Sequence, residues 1–232
     1  MTMLAKSSSP DYAVARRHMI ESQLRPNRVQ DERILDAMGI LPRESFVPES
    51  MAGIAYADCS LEVAPQRFLL EPMVLALLIQ ACDFSPGCRA LDVGPATGYS
   101  TAVLATLGTD VVALESDQAL LRQSERNISA LGLGERVKFE LGPLPHGVKS
   151  QAPFDVILLN GGVEAVPEEL FRQLGEGGRI LAVIRRYGPA HVAHIGEARR
   201  YEKIRGVVSY QPLFNANVKR LSAFDPPKGF SF

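Results

Sequence analysis

The sequence is short of cysteine. Cys59, Cys82 and Cys88 make three in 232 residues, an odd number without the paired spacing of a metal site. A disulfide framework is not expected, and a reducing, cytoplasmic compartment is the simpler reading. Net charge of either sign is also lacking, since 25 Lys and Arg face 26 Asp and Glu for a formal charge of −1. That balance offers no global attraction to nucleic acid or to an anionic membrane, so neither is expected as a partner. Long hydrophobic runs are absent too. The longest apolar stretch, Met73 to Ile79, is far shorter than the ~20 residues of a membrane-spanning helix. The segment from Met1 to His18 has no apolar core of the kind a secretory leader carries. Internal repeats and linkers long enough to separate domains are missing as well.

What is present is enough apolar material for a core, 46% of residues. After a Ser-rich tail, Val14, Met19, Ile20 and Leu24 space an amphipathic helix over Tyr12 to Gln23, broken by Arg25-Pro26-Asn27. Asp31 is placed to cap a second helix with Ile34, Leu35 and Met38 on one face, ended by Leu41-Pro42. Pro48 to Pro72 reads as irregular with at most short strands, and Pro72 opens a helix over Met73 to Cys82. The pattern then alternates. Strands are expected at Arg89–Val93, Asp110–Leu114, Val137–Leu141, Phe154–Leu159 and Arg179–Ile184, and helices at Gly98–Leu107, Gln118–Leu131 and Pro167–Leu174. Repeated β-α-β units imply an α/β fold with a doubly wound, mostly parallel sheet covered on both faces. His191 to Phe224 reads as antiparallel strands added at an edge. Residues 1–80 are then a helical extension and cover, and 81–232 the core, in one compact unit.

The segment Leu91-Asp92-Val93-Gly94-Pro95-Ala96-Thr97-Gly98-Tyr99-Ser100 follows a strand and opens a helix. A ligand outside the carboxyl end of such a strand meets exposed backbone N–H groups. Glu115 ends the next strand about twenty residues on, where an acid accepts hydrogen bonds from ribose hydroxyls. Each signal alone is a glycine turn or a solvated acid; together, in one β-α-β unit, they favour a nucleoside ligand. The dinucleotide pattern G-x-G-x-x-G fails, because Ala96 stands where its second glycine belongs. The acid-x-G-x-G-x-G loop of S-adenosylmethionine methyltransferases fits better, with Asp92, Gly94 and Gly98 in place and Ala96 off pattern. Asp92 is then a candidate to face the cationic methionine end.

At this point the sequence resembles the protein-L-isoaspartate O-methyltransferase family from Met19 to about Leu181. The resemblance is carried by Met19-x-x-x-Gln23-Leu24, Asp31, Ile34-Leu35, Ala37-Met38, Pro42-Arg43-Glu44-x-Phe46-Val47-Pro48 and Ala55-Tyr56-x-Asp58. The Gly94 to Tyr99 loop, Thr101 to Ala105, Ala152-Pro153-Phe154-Asp155, Pro167 and Gly177-Gly178-Arg179 also match. It implies a Rossmann-like methyltransferase fold. It also implies S-adenosylmethionine as cofactor, with S-adenosylhomocysteine as product, and methyl transfer to an isoaspartyl-like carboxylate of a protein or peptide. By the same resemblance the cofactor contacts fall on Asp92, Gly94, Ala96, Gly98, Tyr99, Glu115 and Gly142.

The family pattern is not kept everywhere. Its active-site serine, counted back from Pro72, is Leu70 here, and the neighbouring glutamine is Glu71. Its G-D-G after the third strand is Gly142-Pro143-Leu144. No catalytic serine is therefore carried over. The substrate-side candidates are positional: Asn160, Glu71 and Ser60. Asn160 is either a polar group at the acceptor edge or part of a turn, Asn160-Gly161-Gly162. No nucleophile–base–orienter triad is visible, which suits carboxyl methylation, where the acceptor is already a nucleophile and alignment does most of the work. The departures also motivate a second expectation, a catalytically degenerate member acting as a binding or assembly module.

His191 and His194 would point to opposite faces of a strand, so no metal site is expected. The basic pairs Arg185-Arg186 and Arg199-Arg200 read as solvated strand ends, and Cys82 and Cys88 as thiols flanking a Pro-Gly turn. Oligomeric state is not readable.

Overall fold

The computed structural model describes residues 11–83, 85–185 and 195–224. The Ser-rich tail and the His191/His194 pair lie outside the described residues. Helix α1 (Tyr12–Met19) starts where the Asp11 carboxylate accepts hydrogen bonds from the N–H groups of Ala13 and Val14. It does not run on as one α-helix to Gln23. A π turn, Ile20–Leu24, continues it, and this wider winding brings Leu24 back beside Met19 and Ile20 so that all three are buried. Helix α2 (Glu32–Ile40) is capped by Asp31 and buries Ile34, Leu35, Ala37 and Met38, the expected face.

The stretch from Pro48 to Pro72 holds more order than its composition suggests. Glu49–Ile54 is a 3₁₀ turn, and β1 (Leu61–Ala64) and β2 (Arg67–Leu69) form a small antiparallel hairpin of their own. Helix α3 (Pro72–Gln80) follows with Pro72 in its first turn.

The core alternates β3 (Arg89–Val93), α4 (Tyr99–Thr106), β4 (Asp110–Glu115), α5 (Gln118–Ala130), β5 (Val137–Leu141), β6 (Phe154–Val163), α6 (Glu168–Gln173) and β7 (Leu174–Ile184). Two antiparallel strands, β8 (Gly196–Ile204) and β9 (Val207–Ala216), complete a seven-stranded sheet ordered β5-β4-β3-β6-β7-β8-β9. Strands β3 to β7 are parallel. The strand order reverses between β3 and β6, which is where ligands bind in sheets of this kind.

Several boundaries differ from expectation. Strand β6 runs four residues past Leu159, so Asn160-Gly161-Gly162 is strand and not a turn. Strand β7 starts at Leu174, because Leu174 pairs with Phe154 while Arg179 pairs with Val156, leaving the glycine-rich stretch between them as a bulge. Helix α6 ends correspondingly early. The edge hairpin turns at Arg205-Gly206, both at positive φ, as a tight two-residue connection requires.

The central parallel strands β3, β4, β6 and β7 are buried on both faces, while β9 at the edge is mostly exposed. One apolar cluster joins the sheet to the N-terminal layer through Met19, Leu35, Phe46, Leu75 and Leu104. The other holds Leu91, Val93, Leu144, Leu159 and Leu221. Among the described residues, no helix is long and apolar enough to cross a membrane.

Candidate functional site

The loop after β3 has the shape its glycines predict. Gly94 and Gly98 stand at φ +69° and +94°. At Gly98 a Cβ would also lie 2.2 Å from the Ser124 hydroxyl, so α4 and α5 approach there only because the side chain is missing. Ala96 takes φ +54°, a region costly for a residue with a Cβ. Its N–H donates to Glu115 Oε2 at 3.1 Å, which holds it there.

Asp92 lies at the end of β3 and is fully buried. Its Oδ2 accepts from the hydroxyls of Ser100 and Thr101, each at 2.7 Å, and its Oδ1 from Asn160 Nδ2 at 2.5 Å. The carboxylate thus ties the first turn of α4 to β3 and β6. Burial pushes its pKa up to about 6, against the lowering effect of the Thr101, Ser100 and Asn160 hydrogen bonds; the nearby Glu115 charge raises it further.

Glu115, at the end of β4, is also fully buried. It accepts from the backbone N–H groups of Ala96, Ser116 and Asp117, the last two at 2.7 and 3.1 Å. Both of its oxygens are paired in addition with the two terminal nitrogens of Arg67, the first residue of β2, which is only 8% exposed. The space over Gly94 is filled from three directions. A Cβ on Gly94 would meet Leu144 Cδ1 at 3.0 Å, Leu221 Cδ1 at 3.2 Å and Arg67 Nη2 at 3.3 Å.

Leu221 arrives on the segment after β9, which lies across the end of β6. Gly162 donates to Lys219 O at 2.8 Å, and Leu221 donates to Gly162 O at 2.9 Å. A Cβ on Gly161 would stand 2.9 Å from Leu221 Cβ, so that glycine makes room for the crossing.

The substrate-side candidates separate into two groups. Ser60 donates to Glu71 Oε1 at 2.8 Å, and the second Glu71 oxygen is buried with no protein partner. Asn160 belongs instead to the Asp92 network and reaches Val93 O at 3.2 Å. Tyr99 packs away into the N-terminal layer, edge-on to Phe46 at 5.3 Å and beneath the Arg43 guanidinium at 4.6 Å. Arg43 is itself fully buried and donates to the carbonyls of Ala55 and Leu70 at 2.8 and 2.7 Å, which pins the cover segment over α4. Desolvation lowers its pKa. Gly142 donates to Glu115 O at 3.0 Å and leads through Pro143 into the buried Leu144. A cavity of about 560 Å³ lies nearby, lined by Phe46, Val63, Pro65, Thr97, Asp117 and Gln123; neither Gly94 nor Glu115 faces it.

Comparison with known proteins is decisive on ancestry. The family described as protein-L-isoaspartate(D-aspartate) O-methyltransferase (PCMT) matches residues 15–216. The chain belongs to that family. A Methylorubrum populi relative named protein-L-isoaspartate O-methyltransferase is 39% identical over 202 residues, covering 86% of this chain and 94% of its own length. A Methylorubrum extorquens protein of the same name is 37% identical, covering 88% and 90%. A solved protein-L-isoaspartate O-methyltransferase superposes with a TM-score of 0.73 at 27% identity, over 88% of this chain and 65% of that longer one. A Plasmodium falciparum structure titled as a putative member, solved with S-adenosyl-L-homocysteine, shares the fold at a TM-score of 0.74 and 21% identity, over 89% of this chain and 97% of its own.

Within the PCMT frame, the loop after β3, Glu115 at the end of β4 and Gly142 after β5 lie at the carboxyl ends of three neighbouring strands, beside the reversal point. The crevice over the loop is lined closely by the chain's own side chains. The Glu115 carboxylate is already paired with Arg67, and three side chains stand over the loop glycine. Sequence reasoning missed Arg67, Leu144 and Leu221 as occupants. The available signal was a lone charge, Arg67, leading into the apolar run Phe68-Leu69-Leu70; a charge in such a place needs a partner.

Proposed function

We propose that the chain is an S-adenosylmethionine-dependent O-methyltransferase of the isoaspartyl-repair type, acting on an isoaspartyl-like carboxylate of a protein or peptide. The observation that carries this reading is the Gly94–Gly98 loop, which opens α4 next to the β3/β6 reversal point and lies beside a buried carboxylate, Glu115, at the end of the neighbouring β4. Asp92, Ala96, Tyr99 and Gly142 frame the same loop, although the Tyr99 ring is turned into the core. Ser60 and Glu71 form the polar pair closest in sequence to Leu70, on the acceptor side. S-adenosylmethionine supplies the methyl group when bound. No step is assigned to the closed conformation.

The test is titration calorimetry with S-adenosylhomocysteine, followed by labelled methyl transfer to an isoaspartyl peptide. Binding and transfer above background are expected. No binding at millimolar ligand by the folded chain removes the reading.

The departures from the family pattern set a second reading against it. Arg67, Leu144 and Leu221 fill the crevice, and Leu70 leaves no hydroxyl beside it. On that reading the chain keeps the PCMT fold as a binding or assembly module. Transfer then stays at background in the folded protein, and Leu70→Ser with Pro143→Asp restores part of it. Normal turnover by the unmodified chain eliminates this alternative.

A further inference from the structure

We propose that Arg67 is a gate built into the chain: its guanidinium stands in the ribose position of the crevice, and a nucleoside enters only when the β1–β2 hairpin carries that side chain away from Glu115. The inference rests on the S-adenosylmethionine reading above and adds the residue that controls access.

The hydrogen-bonding capacity of Glu115 is the starting point. A carboxylate offers about four lone-pair sites. Three backbone N–H groups and both Arg67 nitrogens already occupy them. A ribose diol has to displace donors, and the backbone ones are fixed by the loop and by the start of α5. Arg67 is the displaceable pair. Its geometry is the two-pronged match of a planar guanidinium to a carboxylate, which is stronger than two neutral hydroxyl donors. The competition therefore favours closure.

The hairpin that carries Arg67 is separate from the main sheet. Strands β1 and β2 pair only with each other, over Leu61↔Leu69, Glu62↔Phe68 and Ala64↔Arg67, and join no strand of the main sheet. Isolated two-stranded hairpins are marginal by themselves, so this one depends on what anchors it. Gln66 takes φ +59° in the turn, its N–H held by Glu62 at 3.0 Å, which aims Arg67 inward. Lys219 lies 5.9 Å from the Phe68 ring centre and links the hairpin to the segment that carries Leu221.

The test uses the full chain and S-adenosylhomocysteine. Calorimetric titration compares the wild type with Arg67→Ala and, in case the alanine leaves Glu115 too exposed to fold, Arg67→Gln; circular dichroism checks both folds. Affinity is expected to rise at least about tenfold in either variant, the step from a charge-assisted to a neutral hydrogen bond. Hydrogen exchange adds an independent readout. Saturating ligand should speed exchange at the Leu61–Leu69 amides of the wild type. If the wild type binds and the variants bind no better, the gate is overturned while the methyltransferase reading stands. Slower exchange in the hairpin on binding also overturns the gate. If no folded form binds at millimolar ligand, both fall together.

Discussion

Consider the Arg67–Glu115 pair without any ligand. Arg67→Met leaves Glu115 with three backbone donors, from Ala96, Ser116 and Asp117, so the remaining charge is partly compensated. A cost of about 2–3 kcal/mol is expected, at the low end for a broken buried pair. Glu115→Gln is worse. It strands a guanidinium that is 8% exposed and weakens the acceptor for those three amides, so about 3–5 kcal/mol is expected. The double variant has no stranded charge. Its cost should return to about 2–3 kcal/mol, well below the sum of the single costs, for a coupling of about 4 kcal/mol. In a chain of this length each kcal/mol moves the melting temperature by about 2–4 °C. Urea unfolding at constant m-value measures all four proteins. Additivity within about 0.5 kcal/mol would refute the reasoning, because it would mean that the pair is not formed in solution.

Arg43→Met removes two charged hydrogen bonds, to Ala55 O and Leu70 O, and a cation over Tyr99. A loss of about 3–5 kcal/mol is expected in urea midpoints, and a loss under 1 kcal/mol would show that the guanidinium does not anchor the cover. Asp92 gives a pH signature. Its folded pKa is raised to about 6 from an ordinary 3.8, so the folded state holds this proton more tightly. Its contribution to stability is greatest near pH 4 and falls by about 3 kcal/mol as pH rises to about 6, at about 1.4 kcal/mol per pH unit. In Asp92→Asn this slope should vanish, and an unchanged wild-type-minus-variant difference from pH 4 to pH 7 would contradict it. Ala96→Gly relieves φ +54° but frees the unfolded chain, so it should be neutral or stabilising by up to about 1 kcal/mol, against the usual loss for such a change. A destabilisation above 1 kcal/mol in thermal melts would count against strain at that position.

Much of this molecule was readable from local pattern. Short apolar runs bounded by glycine and proline located β3, β4 and β5, and the cap Asp31 marks a helix start through an interaction spanning two residues. The strand–loop–helix at Gly94 and the carboxylate at Glu115 were legible for the same reason: they depend on backbone φ and on spacing, both properties of the chain itself. Boundaries such as the start of β7 were not, because a strand there depends on which residue of β6 it meets.

The state of the crevice belongs to tertiary structure alone. Arg67 and Glu115 are 48 residues apart, and Asn160 and Asp92 are 68 apart. Leu221 reaches Gly94 only because the chain after β9 doubles back across β6. Sequence placed a carboxylate at the tip of β4; whether that carboxylate is free is decided by which distant side chain packs against it, and burial makes such a contact strong while leaving no local pattern to announce it.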